Sequence, residues 1–170
     1  MSKARGYSLW LVPDNSNRQI LDEFISNVSQ TYKTPCFNSH LTLIGEILEP
    51  EASVVAKTET LVAKLSPLYA NLKTIGQSNH FFMSLYLIAE QNKKLMVANE
   101  FAREIFMRQG DAPFFPHLSL AYGLSSKDAK LSIVSEFSSH LPLSVRLDNL
   151  QIMRSEGEAK DWYSIKTFCL

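Results

Sequence analysis

Apolar residues in this chain recur with two spacings that take turns along its length. Tyr7 to Val12 is a short apolar run closed by Pro13-Asp14-Asn15, which predicts a strand ending in a turn. Ile20, Leu21, Phe24, Ile25, Val28 and Tyr32 follow at helical spacing, behind a capping-box pair at Ser16 and Gln19, and predict a helix to about Lys33. Thr34-Pro35 breaks it, and Phe37 to about Gly45 reads as a second strand. Pro50 suits the start of a helix whose buried stripe is Val54, Val55, Leu61, Val62 and Leu65, closed by Ser66-Pro67. Tyr69 to about Ile75 is a further strand.

The same order then repeats. His80 to Ala89 predicts a strongly apolar strand, and Leu95, Met96, Phe101, Ala102, Ile105 and Phe106 a helix with Gly110 just past its end. A strand around Phe114 to Gly123 comes next. Ser125 and Asp128 have capping-box spacing for a helix through Phe137, stopped before Pro142. Leu143, Val145 and Leu147 alternate with Ser144, Arg146 and Asp148, the mark of a half-buried strand. Glu156-Gly157-Glu158 turns the chain into a last strand from Trp162 to Phe168. The pattern is βαβαβ twice with one extra strand. It predicts an α+β fold: a single duplicated, bilobal domain over residues 1–170 with a pseudo-two-fold axis.

Composition narrows the partners. Seventeen basic residues balance seventeen acidic ones, whereas proteins that hold long nucleic acids through phosphates usually carry a basic excess. A small ligand or a nucleic-acid end is favoured. No apolar run approaches the roughly 18 residues of a membrane span, so no membrane partner is expected. Met1 to Arg5 lacks a signal-peptide core, which gives an intracellular, cytoplasmic expectation. Cys36 and Cys169 are too few for a disulfide framework and read as small buried residues. A monomer is expected.

Candidate chemistry lies in one phrase that occurs twice. Phe37-Asn38-Ser39-His40-Leu41-Thr42-Leu43 returns 77 positions later as Phe114-Phe115-Pro116-His117-Leu118-Ser119-Leu120. On a strand, residues two apart share a face. His40 and Thr42 therefore project together, as do His117 and Ser119, while the four leucines turn to the core. In-line displacement at phosphorus needs a base at the attacking water and an acid at the leaving oxygen, on opposite sides. Two imidazoles with pKa values near 6.5 can divide those tasks, and two hydroxyls can bond the non-bridging oxygens. Similar strands in a duplicated fold can also be kept for packing alone; four reactive side chains at equivalent places favour a shared reaction.

Other residues offer less. Trp10 and Phe82 could stack on a base or pack a sheet, and His80 and His140 match no motif. Cys36 and His40 would lie roughly 13 Å apart on an extended strand, too far to share an ion. His40 and His117 could be two ligands of a metal, but with Cys36 set aside by that distance no nearby carboxylate or thiolate completes the set, and no glycine-rich phosphate loop is present. No cofactor is expected.

The paired motif resembles the two-histidine (2H) phosphoesterase superfamily, which carries two His-x-(Ser/Thr)-x segments. The likeness is closest to its cyclic phosphodiesterase family. Tyr7-Ser8-Leu9-Trp10-Leu11-Val12-Pro13 is similar to that family's opening strand, and Phe81-Phe82 and Pro116-His117-Leu118-Ser119-Leu120-Ala121-Tyr122 to its central segments. The resemblance implies two antiparallel sheets lining a central cleft, with helices outside. It implies metal-independent opening of nucleoside 2′,3′-cyclic phosphates to 2′-phosphates, or of ADP-ribose 1″,2″-cyclic phosphate. His40, Thr42, His117 and Ser119 would be catalytic, and Trp10, Phe82 and Tyr122 would bind the small nucleotide. RNA ends or 2′,5′-linked oligonucleotides are the alternative substrates, and a non-catalytic nucleotide-binding module is the alternative of another class. Two points stand out: Ser39 occupies the place that Pro116 holds in the second motif, and Tyr122 has the wrong parity to face His117 unless the strand ends or bulges near Ala121.

Overall fold

A computed structural model describes residues 4–170. The leader-free start read at residues 1–3 lies outside the described residues. The elements are β1 (Tyr7–Pro13), α1 (Asn15–Tyr32), β2 (Leu41–Ile47), α2 (Glu51–Val62), β3 (Leu68–Gln77), β4 (Leu85–Ala89), α3 (Lys93–Ile105), β5 (His117–Ala121), α4 (Lys127–Phe137), β6 (Leu143–Arg154) and β7 (Tyr163–Cys169). The twofold βαβαβ order with one added strand is therefore observed.

All strand pairs are antiparallel, in the order β1-β2-β5-β4-β3-β6-β7 with a further β1–β6 pairing that closes a ring. Within that ring the third strand of each half crosses over: β3 pairs with β4, and β6 pairs with β1. Strand β6 runs further than its alternating stretch predicts. Its residues 143–147 pair with β3, and its residues 147–154 lie between β1 and β7. The helices also cross: α1 packs on β5 and α3 on β2. Each histidine strand is thus supported by the helix of the other half.

The strands hold because one face is apolar throughout. Leu41, Leu43, Leu118 and Leu120 are buried in the main core with Leu9, Leu11, Leu85 and Leu87. Truncating such a leucine to alanine costs about 2–5 kcal/mol, so the motif backbones are firmly seated.

Several local expectations are corrected. Helix α1 is capped by Asp14, whose Oδ1 accepts from the amide of Asn17 at 3.0 Å, rather than by Ser16 and Gln19. A carboxylate there also meets the positive end of the helix dipole. Ser126, not Ser125, caps α4, accepting from Ala129 N at 3.2 Å. Helix α3 ends at Ile105, with Met107 in the left-handed region at φ 55°, so Gly110 is not its terminator.

The apolar segment from His80 to Ala89 is not one strand: Phe81–Met83 forms a 3-10 turn before β4. Its polar groups are bonded outside the ladder. Ser78 Oγ donates to Met83 O at 2.7 Å, Gly123 N donates to Phe81 O at 2.8 Å, and Lys130 Nζ donates to Ser78 O at 2.8 Å. Phe82 therefore sits on a turn. Cys36 and Cys169 are exposed, not buried: Cys36 lies in the irregular segment before β2, and Cys169 is the last residue of β7. His80 and His140 are exposed, as their lack of a motif suggests.

Candidate active site

The two motifs meet where β2 pairs with β5, at Leu41 and Leu118. Both leucines are buried, so the residues on either side of each turn away from the core. Carrying the antiparallel register one residue each way sets His40 across from Ser119 and Thr42 across from His117. The pseudo-two-fold axis passes between the leucines. Each histidine thus has its own hydroxyl two residues on and the other motif's hydroxyl across the strand.

Both rings are anchored alike. His40 Nδ1 bonds Asn38 O at 2.7 Å, and His117 Nδ1 bonds Phe115 O at 2.8 Å. A carbonyl can only accept, so Nδ1 carries the proton in each ring. That leaves Nε2 as an acceptor in the neutral ring and a donor in the charged one.

The surroundings differ. His40 is buried, with its ring stacked on Trp10 at 3.4 Å and 6°, and the edge of Phe37 lies 6.1 Å away. Burial depresses its pKa to about 4; the Asn38 carbonyl opposes that, and charge on His117 adds to it. His117 is only partly buried, between Tyr86 at 5.5 Å and Phe115 at 5.6 Å. Burial lowers its pKa as well, and the Phe115 carbonyl opposes this. The hydroxyls also differ. Ser119 Oγ donates to Phe82 O at 2.9 Å, whereas Thr42 has no intramolecular side-chain hydrogen bond among the described residues.

Two adjoining cavities flank this line. One, about 170 Å³, is lined by Trp10, His40, Thr42, Phe82, Tyr122 and Trp162 among others. The second, about 360 Å³, is lined by Phe115, His117, Asn99, Arg103 and Arg108 among others. Thr42, Gly45 and Glu46 border both, so the space continues from one histidine to the other. A larger hollow of about 820 Å³, near Lys33, Phe81 and Ser126, contains none of the four motif residues.

All three aromatic residues singled out from sequence line the His40 cavity. Tyr122 reaches it because β5 bulges: Ala121 pairs with Leu85 but Ser119 pairs with Tyr86, leaving Leu120 as the extra residue. Its ring stacks on Phe37 at 3.7 Å, and burial pushes its hydroxyl pKa up.

Three neighbours of the histidines escaped sequence reasoning. Tyr86 pairs with Ser119 as Trp10 pairs with Thr42, and it meets His117 edge-on at 5.5 Å where Trp10 stacks flat on His40. The signal was present: Ser8-Leu9-Trp10-Leu11-Val12 is matched by Ser84-Leu85-Tyr86-Leu87-Ile88. Tyr86 also lies flat on Gly76, where a Cβ would come within 2.4 Å of its ring. Asp22 of α1, whose Oδ1 accepts from Ser39 N at 2.6 Å, belongs to a third echo: Asp22-Glu23-Phe24 against Asn99-Glu100-Phe101. Trp162, at the mouth of the loop before β7, had no such signal.

Among the described residues no group of three His, Cys, Asp or Glu side chains converges as a metal site, and no helix is long and apolar enough to cross a membrane.

Comparisons with known proteins agree with this fold. A family model described as cyclic phosphodiesterase-like protein matches residues 5–170. A search of curated proteins gives no match. Among solved structures, apo LigT of E. coli superposes with a TM-score of 0.61 at 14% identity, covering 99% of each chain. LigT of E. coli complexed with 3′-AMP gives 0.59 at 14% identity over 99% of each chain. The protein TT0787 of Thermus thermophilus gives 0.62 at 19% identity over 97% of each chain. At these identities the likeness is one of fold.

Proposed function

The chain belongs to the cyclic phosphodiesterase-like protein family, among the two-histidine phosphoesterases, and from that premise we propose that it hydrolyses nucleoside 2′,3′-cyclic phosphates without a metal. What supports this reading above all is the pairing of Leu41 with Leu118, which brings two His-x-(Ser/Thr) segments with identical Nδ1 anchors into register.

In the proposed reaction His40 is the base. Its low pKa leaves it neutral near pH 7, with Nε2 free to take a proton. Water attacks phosphorus as that proton moves to His40, and a new P–O bond forms. The bond from phosphorus to the 3′ oxygen breaks as His117 Nε2–H delivers its proton to that oxygen, which gives the 2′-phosphate. His117, the more exposed ring, holds a proton more readily, and a bound phosphate anion favours the charged form further. Thr42 and Ser119 donate to the non-bridging oxygens, where charge is held in the transition state. Ser119 must first leave the Phe82 carbonyl, which a turn about its side-chain bond achieves. Trp10, Phe82 and Tyr122 would hold the base and ribose, and a small nucleotide in the same fold has a precedent in LigT with 3′-AMP.

A second reading is an RNA-end or 2′,5′-linked oligonucleotide substrate. The continuation of the cleft past Thr42 towards Arg103 and Arg108 favours it, and net charge zero does not.

The test is incubation, in chelator, with the four nucleoside 2′,3′-cyclic phosphates and ADP-ribose 1″,2″-cyclic phosphate, with His40→Ala and His117→Ala alongside. The expected result is 2′-phosphate formation that survives chelator and falls by about 10²–10⁴ in each variant. Turnover lost to chelator, or kept in either variant, would refute the scheme. Preferential turnover of short oligonucleotides would move the assignment to the second reading.

A further inference from the structure

The two motifs differ at one backbone atom with a chemical consequence. Pro116 precedes His117 and has no amide hydrogen, whereas Ser39 precedes His40 and has one. That hydrogen goes to Asp22 Oδ1 at 2.6 Å. The same peptide unit supplies, at its other end, the Asn38 carbonyl that holds His40 Nδ1 at 2.7 Å. A carboxylate and an imidazole are thus joined through a single peptide group, carboxylate to N–H and carbonyl to Nδ1–H.

We propose that Asp22 is a positioning residue that acts on His40 through the Asn38–Ser39 peptide, a relay that the His117 side lacks. A carboxylate on the N–H polarises the peptide and makes its carbonyl a better acceptor, because hydrogen bonds in series strengthen one another. A stronger carbonyl favours the ring that donates from Nδ1 and, above all, the protonated ring. The relay therefore fixes the tautomer with Nε2 open and offsets part of the loss of basicity that burial imposes.

The second half shows what happens without it. The residue 77 positions after Asp22 is Asn99, which is neutral and donates its Nδ2 to Leu43 O at 2.7 Å instead. Charge on the helix, amide hydrogen on the strand and burial of the histidine all occur together on one side. Arg18 completes the arrangement by pairing with the other oxygen of Asp22 at 3.3 Å. The remaining charged or titratable groups that face His40 are His117 across the sheet, the Tyr122 hydroxyl, and Arg5 and Glu46 around the shared cavity. The relay peptide donates its N–H to Asp22 and accepts from His40 at its carbonyl, and among the described residues it bonds none of these other groups.

The role in catalysis rests on the function proposed above, so the test is made on the resting protein. The histidine rings would be titrated by NMR from pH 8 to pH 3, with their signals assigned through single His→Gln variants. Asp22→Asn retains an oxygen for Ser39 N but removes the charge; it should lower the His40 midpoint by roughly half a unit or more and leave His117 in place. Arg18→Ala removes the counter-charge and should move His40 upward, an opposite sign that a purely structural role would not give. Ser39→Pro removes the amide hydrogen, should lower the His40 midpoint as Asp22→Asn does, and should make that change silent when the two are combined. An unmoved His40 in Asp22→Asn, a His117 that moves equally, or additive effects with Ser39→Pro would each overturn the proposal. These shifts are independent of turnover, so failure of the relay and failure of the phosphodiesterase reading are separately visible.

Discussion

His40 and His117 are fixed by the same bond, from Nδ1 to the carbonyl two residues back, on strands that pair with one another. One lies buried under the indole of Trp10 at the wall of the smaller cavity; the other lies beside the phenol of Tyr86 and is partly open. The frame is symmetric, and the packing on it is not. The in-line reaction proposed above would use that combination: symmetry would put two proton-carrying rings on either side of one phosphorus, and unequal burial would let one ring start without its proton. A perfectly matched pair could divide the tasks too, but without a fixed choice of which ring holds the proton.

The largest break in this comparison comes from the hydroxyls. Removing one donor that meets transition-state charge costs about 10²–10³ in kcat. Thr42 is free before substrate arrives, whereas Ser119 must give up its bond to Phe82 O. Thr42→Ala should therefore lose more than Ser119→Ala, although both stay folded. Steady-state kinetics on a 2′,3′-cyclic nucleotide decides it; equal losses would mean that the resting bond of Ser119 is irrelevant.

A second test uses pH. In the proposed scheme His40 acts when neutral, so kcat/KM should rise with pH through about 4; His117 acts when protonated, so it should fall again at a pH below 6.5. The same burial affects stability. The pKa of His40 is lowered on folding, so between 6.5 and about 4 the unfolded chain binds more protons. Stability from this group is whole above 6.5 and declines as pH falls to about 4, by about 3 kcal/mol in total. Urea midpoints at pH 7 and pH 4.5 should differ in the wild type and differ less in His40→Gln.

The smallest effect sharpens the His117 side alone. A methyl on Gly76 would sit within 2.4 Å of the Tyr86 ring, so Gly76→Ala must push that ring away. The expected outcome is a change of a few-fold in kcat with the His117 NMR signal displaced and that of His40 unchanged, on the scale of losing one aromatic contact of about 0.5–1.5 kcal/mol.

What the sequence made legible follows from what each signal measures. Alternation and helical spacing report which face is apolar, so the order of elements and the seating of Leu41, Leu43, Leu118 and Leu120 were readable. The repeated phrase gave the four residues that meet across β2 and β5, and the resemblance gave the three aromatic ones. Less legible was anything decided by contacts between distant segments. Phe82 sits on a turn because Ser78, Lys130 and Gly123 satisfy its neighbours' polar groups, and no local pattern encodes those partners. Tyr122 changes sides through a bulge at Leu120, which an apolar run conceals. Tyr86 and Asp22 were visible in principle, since both stand in echoes of the first half, but those echoes are shorter than the histidine phrase and carry no obvious chemistry by themselves.

The most direct measurement of the central claim uses a nucleotide phosphodiester whose leaving group is 4-nitrophenolate, which departs without a proton. If His40 is the base and His117 the acid, His117→Ala should recover much of its activity on this ester relative to the cyclic phosphate, while His40→Ala should remain inactive on both. Recovery by His40→Ala instead would reverse the roles, and equal loss in both variants would contradict the division of labour between the two histidines.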